Sequence, residues 1–593
     1  MYFSEKKSVK GYFWKLREYD ERLALTIYQK NSVSELVSRL LAIKNVRFDE
    51  VENYLNPKLK NSLEDPFHLY DMDKAVKVIY DAVVHKKSIC IYGDYDVDGA
   101  TSTALMIRFF RSIGVKVISY IPDRIDEGYG LSIDSISVLK RKNVDLIITV
   151  DCGISCHEAV DFANKNNISV VITDHHLGSP ILPNAKAVVD PNRLDEESKY
   201  KYLAGVGVTF MLCIAINSYL RNNGYYEKNK INEPNLLLFL DLVALGTVCD
   251  VMPLIGINRT LVKQGLGVFK KRKNVGLAAL SDQINVGEIN DTYHLGYMIG
   301  PRINACGRVG DVNIGSKLLS CDDIEEARIL AQELDNFNTE RQNIEKVILD
   351  KAIEKIENEN MLDESFIFLI GESWHEGVIG IIASRLKDRY SKPTFVISAS
   401  GNIGKASCRS IDSSIDIGSV IIEAKEQGLL LTGGGHAMAG GFTFELSKTE
   451  EIKSFIRDRL NDKIKKFLSL NEKEYDLALD CNDISIKLVQ DIESIGPYGA
   501  GNHKPKIILK DVSIVNIKYF GKNEEHIRLI VVSNKYKTTG LIVNVFRVKK
   551  GDSIYKIISE KRKSYNIVGT VSLNHWMGVD SIQFVLEDII CND

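Results

Sequence analysis

From residue 88 onward, short apolar runs alternate with turns rich in Asp, Gly or His and with stretches of helical period. The runs Ser88–Tyr92, Val115–Ile121, Asp145–Val150, Ser169–Thr173 and Ala185–Val189 have strand length. Their Val and Ile content suits a parallel sheet covered on both faces. Helices fit the gaps, and Thr101–Ile113, stopped by Gly114, is the clearest. The pattern predicts an α/β fold with a doubly wound parallel sheet.

From Asp323 to Asn358 the chain becomes highly charged, with apolar positions at Ala327, Leu330, Leu334, Phe337, Ile344, Val347 and Ile348 and no Pro or Gly. One helix there would be a strut about 50 Å long. Two helices with a kink near Asn336–Asn338 fit the same pattern. Phe366–Ile370 and Thr394–Ile397 then predict a second α/β unit, closing on Gly433-Gly434-Gly435-His436. Beyond Asp476, the runs Lys506–Leu509, His526–Val532, Gly540–Phe546, Tyr565–Val571 and Ser581–Leu586 predict a small all-β barrel or sandwich. The segment before residue 85 reads as helical. The expected division is a helical segment over 1–50, a first α/β domain over 51–320, a connecting helix over 321–358, a second α/β domain over 359–465 and a β module over 466–593.

Composition adds little until charge is located. A chain of 593 residues, 45% hydrophobic and 26% charged, is too long for one core and ordinary for a globular protein. Its net charge of −3 argues by itself against a nucleic-acid partner. Residues 501–593, however, hold 15 Lys+Arg against 9 Asp+Glu, a net +6 that leaves −9 on the other 500. Ten cysteines with no C-x-x-C pair disfavour a zinc or disulfide framework. The N-terminus shows no signal-peptide pattern, and the apolar stretch Asn235–Val248 is interrupted by Asp241, so a cytoplasmic protein is expected.

The strongest chemistry is Tyr92-Gly93-Asp94-Tyr95-Asp96-Val97-Asp98-Gly99, three alternating carboxylates between a strand and a helix. An EF-hand is excluded, because its twelfth position is Leu105 rather than Glu and a strand precedes the loop. Two further strands end in Asp151 and in Asp174-His175-His176. Asp250, after the apolar run Leu242–Cys249, reads as a fourth strand end. Carboxyl ends of parallel strands line one crevice, so these groups converge. Carboxylates with an imidazole suit Mn²⁺ or Mg²⁺, and the count would furnish two ions. Singly, Asp98 is equally well a helix cap and the other acids are turn residues.

At this point the chain resembles the DHH phosphoesterase superfamily, most closely its bacterial single-stranded-DNA-specific 5′ exonucleases. The resemblance also rests on Tyr120–Arg124, Glu127–Leu131, Gly300–Ala305, Gly307-Arg308, Trp374–Gly380, Ser407–Ser410 and Gly434–Gly440. It implies a DHH domain, a DHHA1 domain and an OB-fold. By that likeness Asp96, Asp98, Asp151, His175 and Asp250 would bind two Mn²⁺ or Mg²⁺ ions, with Asp151 bridging. Asp94 would complete one shell, since Tyr92 stands where some members carry a His ligand. Asp174 would orient the cluster, and His176 would contact the scissile phosphate. Arg124, Ser407 and Arg409 would grip the 5′-terminal phosphate.

Among other groups, Arg302 and Asn304 are candidate phosphate donors, with a structural ion pair as the alternative for Arg302. The Gly433–His436 run offers backbone N–H groups for a phosphate, or else makes a tight turn. In the basic module Lys518, Lys522, Arg528, Lys549, Lys561, Arg562 and Lys563 would line a groove for single strands. Tyr519, Phe520 and Trp576 are its stacking candidates; ordinary surface and core roles are open for each. The resemblance implies single-stranded DNA as substrate in repair and recombination, with helicase and single-strand-binding-protein partners. Oligomeric state is open, and end-threading into a cleft between two lobes of one chain makes a monomer the simpler expectation. The rival readings are a small-substrate phosphoesterase of the same superfamily and a non-catalytic replication scaffold. The basic module disfavours the first, and the intact acidic set disfavours the second.

Overall fold

A computed structural model describes residues 3–592, apart from 124–126, 129, 288, 360, 522–525, 536–539, 547–552, 561–563 and 577–578, and gives only the main chain of 575, 576, 579 and 580. The chain forms two compact units. One comprises Pro66–Asp250 and Val268–Leu470; the other comprises Met1–Asp65, Val251–Gly267 and Asn471–Asp593.

The first unit opens with a five-stranded parallel sheet in the order Ile118–Tyr120, Ile89–Gly93, Leu146–Val150, Ser169–Thr173, Ala187–Val189. The five runs expected as its strands all form. The longest prediction, Val115–Ile121, shrinks to three residues at the sheet edge. Ile89–Gly93 and Leu146–Val150 are buried along their whole length, as their unbroken apolar sequences require. The strand order reverses at Ile89–Gly93, which has the next strand on one side and Leu146–Val150 on the other. That reversal opens the crevice in which such sheets place their chemistry.

One expectation fails here. The run before Asp250 is a helix, Leu240–Cys249, not a strand. A short, wholly apolar run has no periodicity to separate a buried helix from a buried strand.

Ile324–Asn358 is one helix of 35 residues, capped by Asp323, whose carboxylate accepts from Glu326 N at 2.8 Å. The stretch that suggested a kink continues without a break. There Asn338 accepts from the Arg341 guanidinium at 2.6 Å, and Arg341 and Arg385 both pair with Glu345. The second sheet runs Thr432–His436, Ala439–Glu445, Ile403–Arg409, Thr394–Ser400, Ile367–Glu372. Only its last pair is parallel.

In the other unit, Leu477–Leu479, Ile507–Phe520, His526–Ser533, Leu541–Val545, Val579–Cys591 and Tyr565–Trp576 form one sheet. Pairing of Ile507–Phe520 with Tyr565–Trp576 closes it into a barrel. The N-terminal segment belongs to this unit and is not wholly helical. Its strand Phe13–Leu16 pairs with Glu472–Tyr475, and the buried Trp14 donates to Asp588 at 3.0 Å. Ile27, Leu40 and Leu41, from the helices Glu21–Lys30 and Glu35–Ile43, join the barrel's core. No helix among the described residues is long and apolar enough to cross a membrane.

Candidate metal centre

Register alone brings three acids to one level. Gly93 lies opposite Val150, and Val150 opposite Thr173, so Asp94, Asp151 and Asp174 each follow the end of an adjacent strand. Asp96 caps the helix Val97–Ser112, accepting from Gly99 N at 3.0 Å. Asp98, in the first turn and 1% exposed, accepts from Gly205 N at 2.6 Å and Val206 N at 2.9 Å. Those donors begin the helix Gly205–Asn222, whose N-terminal dipole favours an anion. Asp250 ends the helix Leu240–Cys249 and turns its carboxylate toward the same point.

The packing admits no side chain at two glycines. A Cβ on Gly205 would stand 2.5 Å from Asp151 Oδ1, and one on Gly246 would stand 2.8 Å from Asp98 Oδ1. Asp151 itself holds a left-handed backbone, φ 62°, a conformation that costs an ordinary residue stability and recurs at functional sites.

His175 Nε2 lies 3.1 Å from Asp151 Oδ1, 3.6 Å from Asp250 Oδ2 and 3.8 Å from Asp98 Oδ2. Three sets of ligand atoms each fall within 4.8 Å: Asp94, Asp96 and Asp151; Asp98, His175 and Asp250; Asp151, His175 and His176. Burial, then the neighbouring Asp96, pushes the Asp98 carboxyl up to about 7. Burial, then Asp98 and Asp96, pushes Asp250 to about 9. Asp151 moves up for the same reasons, and burial lowers His175 to about 4.

Carboxylates so placed resist ionising together unless cations join them. The buried His175 ring, with its Nε2 beside three of these carboxylates, completes a donor set suited to divalent ions. The residues fit a pair of Mn²⁺ or Mg²⁺ ions.

Asp174 stands behind this cluster. Its Oδ2 accepts from Ile154 N at 2.9 Å, and its Oδ1 accepts from His175 N at 2.7 Å and lies 2.7 Å from His176 Nδ1. Burial acts to lower the basicity of His176, but this bond and the Asp174 charge outweigh it and raise the imidazole to about 9. Asp174 thereby favours the protonated form of His176.

Arg302 lies in the helix Gly300–Val309, not in a turn. Pro301 fits the first turn of a helix, where no N–H is needed. The Arg302 Nε donates to Asp335 on the long helix at 2.8 Å. Asn304 Oδ1 accepts from Val97 N at 3.2 Å, holding the acidic loop. Ser407 and Arg409 lie together on Ile403–Arg409, with Arg409 Nη1 3.4 Å from Ser407 Oγ, over Gly380 of the helix Glu376–Tyr390.

The Gly433–His436 run is not a strand-to-helix turn. It is an edge strand paired with Ala439–Glu445, where Gly435 allows Ala439 O within 2.5 Å of a Cβ position. His436 is exposed. Arg124 lies outside the described residues, as do Lys522, Lys549, Lys561, Arg562, Lys563 and the side chain of Trp576. In the barrel, Arg528 lies 5.3 Å over the Phe520 ring, and Phe520 groups with His526 and Phe546.

Two residues were missed in the sequence. Asn192 Nδ2 donates to His175 O at 2.5 Å, and buried Asp190 holds Asn192 by accepting its N–H at 2.7 Å. Val188-Val189-Asp190 repeats the strand-then-Asp pattern and was legible by the same rule.

Residues 88–247 match the DHH family N-terminal domain, 363–462 the DHHA1 domain and 475–588 the RecJ OB domain. The chain is 34% identical over 589 residues to the single-stranded-DNA-specific exonuclease RecJ of Salmonella typhimurium, covering 97% of this chain and 98% of that one. The Escherichia coli K12 protein of the same name gives the same identity and coverage. The crystal structure of RecJ from Thermus thermophilus in complex with Mn²⁺ superposes with a TM-score of 0.79 at 26% identity, over 98% of this chain and 80% of that one. The Mg²⁺ complex from the same organism gives 0.73 at 25% identity, over 98% and 78%.

Proposed function

The chain belongs to the RecJ family of single-stranded-DNA-specific exonucleases, and we propose that it hydrolyses single-stranded DNA stepwise from the 5′ end with Mn²⁺ or Mg²⁺. One observation carries the reading. Near-complete coverage by RecJ enzymes coincides with a largely buried set of carboxylates and His175 converging at the sheet's crevice. The small-substrate alternative needs only the two α/β lobes and leaves the OB domain at 475–588 without a task.

In this reading Asp94, Asp96, Asp98, Asp151, His175 and Asp250 hold two ions, with Asp151 shared. When bound, such ions activate water and neutralise charge on a phosphodiester. Asp174 fixes the His175-His176 backbone and keeps His176 protonated, so His176 donates to a phosphate oxygen. Arg302, tethered by Asp335, supplies a second cation, and Asn304 holds the loop carrying Asp96 and Asp98. Arg124, Ser407 and Arg409 take the terminal phosphate, which gives the enzyme its preference for an end, and the His436 run takes another phosphate.

The OB domain holds the trailing strand. A cytoplasmic monomer acting in repair and recombination beside a helicase and a single-strand-binding protein completes the proposal.

The test is end-labelled single- and double-stranded DNA incubated with and without Mn²⁺. Release of 5′-terminal nucleotides from single strands, dependent on the metal, is the expected result. Equal attack on duplex, or release only from the 3′ end, sinks the specificity.

A further inference from the structure

The helix that carries Arg302 and Asn304 begins with a π-helical turn, His294–Ile299, preceded by Tyr293. Leu295 and Ile299 face inward and are fully buried. The Cys249 thiol donates to Leu295 O at 3.6 Å, and a Cβ on Gly300 would stand 2.4 Å from Cys249 Sγ. The inner side of this helix is therefore packed against the residue next to Asp250.

The outer side carries Tyr293 and Tyr297, 58% and 74% exposed, stacked on each other with centroids 5.2 Å apart and planes 23° apart. Two large rings so open to water, preceded by the polar, exposed Asn290 and Asp291, are not core residues. They are also too few for a protein interface, which buries about 800 Å² per partner.

Their position on the helix says what they fit. Tyr293 and Tyr297, four residues apart, share one side of the π-helical turn, and Asn304 and Arg308, also four apart, share one side of the α-helix that continues it. Further along this helix Asn304 bonds Val97 N beside the acidic loop, and Arg308 bonds Gly377 O at the start of the helix Glu376–Tyr390. The seven residues from Tyr297 to Asn304 span about 10 Å along the helix. Arg302 and Arg308 supply positive charge along the same helix. π-helical turns of this kind concentrate at functional sites.

We propose that Tyr293 and Tyr297 form a base-stacking subsite for the single strand leaving the metal centre. The inference rests on the exonuclease reading and deepens it. Stacking on an aromatic ring is independent of base identity, so the subsite would grip DNA without sequence preference.

The test uses the full chain and 5′-phosphorylated oligonucleotides with 2-aminopurine at successive positions, in Ca²⁺ for binding and Mn²⁺ for turnover. Wild type is compared with Tyr293→Ala/Tyr297→Ala and Tyr293→Phe/Tyr297→Phe, each checked by thermal melting. The expected result is quenching at one or two positions a few nucleotides from the 5′ end, lost in the alanine pair and kept in the phenylalanine pair. KM for long strands should rise about tenfold per ring lost, with kcat falling less than KM rises. An alanine pair that melts, quenches and turns over like wild type overturns the subsite alone. A wild type that neither binds nor cuts the labelled strands overturns the exonuclease reading and the subsite together.

Discussion

Asp174 Oδ1 and His176 Nδ1 lie 2.7 Å apart, and that pair separates the acid that orients the site from the acids that can bind metal. Asp174 is fully buried, and its carboxyl is held below the usual range even though burial pushes it upward, because His176 bonds to it. Asp174→Asn should therefore retain Mn²⁺ while lowering turnover by roughly 10- to 100-fold, the range for groups that orient ligands. Asp151→Asn should lose Mn²⁺ itself. Calorimetric Mn²⁺ titration of both variants, set beside kcat, separates the roles, and equal metal loss in the two would refute the distinction.

Removing metal should destabilise the protein as well as silence it. Without cations the buried Asp98, Asp151 and Asp250 carboxyls repel one another. Ligand at 100 times its dissociation constant stabilises by about 2.7 kcal/mol. EDTA treatment should lower Tm and added Mn²⁺ restore it. A Tm indifferent to both would count against the cluster as a metal site.

Asn192 holds His175 through its carbonyl, so Asn192→Ala should free that loop. Mn²⁺ affinity should fall about tenfold, with the fold intact by circular dichroism. Affinity equal to wild type would remove Asn192 from the positioning role.

Gly205→Ala adds one methyl where Asp151 Oδ1 already stands 2.5 Å away. The substitution should abolish Mn²⁺ binding with a modest Tm loss, because the carboxylate must rotate off the crevice. An active Gly205→Ala enzyme would show that Asp151 does not need this rotamer.

Cutting the chain after Leu470 should not leave a stable two-lobed enzyme. The barrel's removal would expose Trp14, Ile27, Leu40 and Leu41, which are buried in the same unit. Aggregation or early protease attack on the N-terminal 65 residues is expected in limited proteolysis. A soluble, resistant product would contradict it.

Much of this was legible in one dimension. Alternating runs located the parallel strands, and acids after three of them marked the crevice, because strand ends in such a sheet share one edge. The unbroken charged pattern of Ile324–Asn358 announced helix, and the structure decided for one helix over two with a kink. Asp250 was identified as a member although its element was misread, since an apolar run marks burial and not backbone type. Nothing local linked Phe13–Leu16 to Glu472–Tyr475, or told that Arg302 spends its Nε on Asp335. The same holds for the exposure of Tyr293 and Tyr297.

By itself, then, the sequence determined the periodicities, the acidic motifs and the families they resemble, because each depends on neighbours along the chain. Only the tertiary structure decided which carboxylates meet at His175, which instead orient them, and which rings stay in water. Those relations depend on atoms dozens to hundreds of residues apart, brought together by packing that no local pattern encodes.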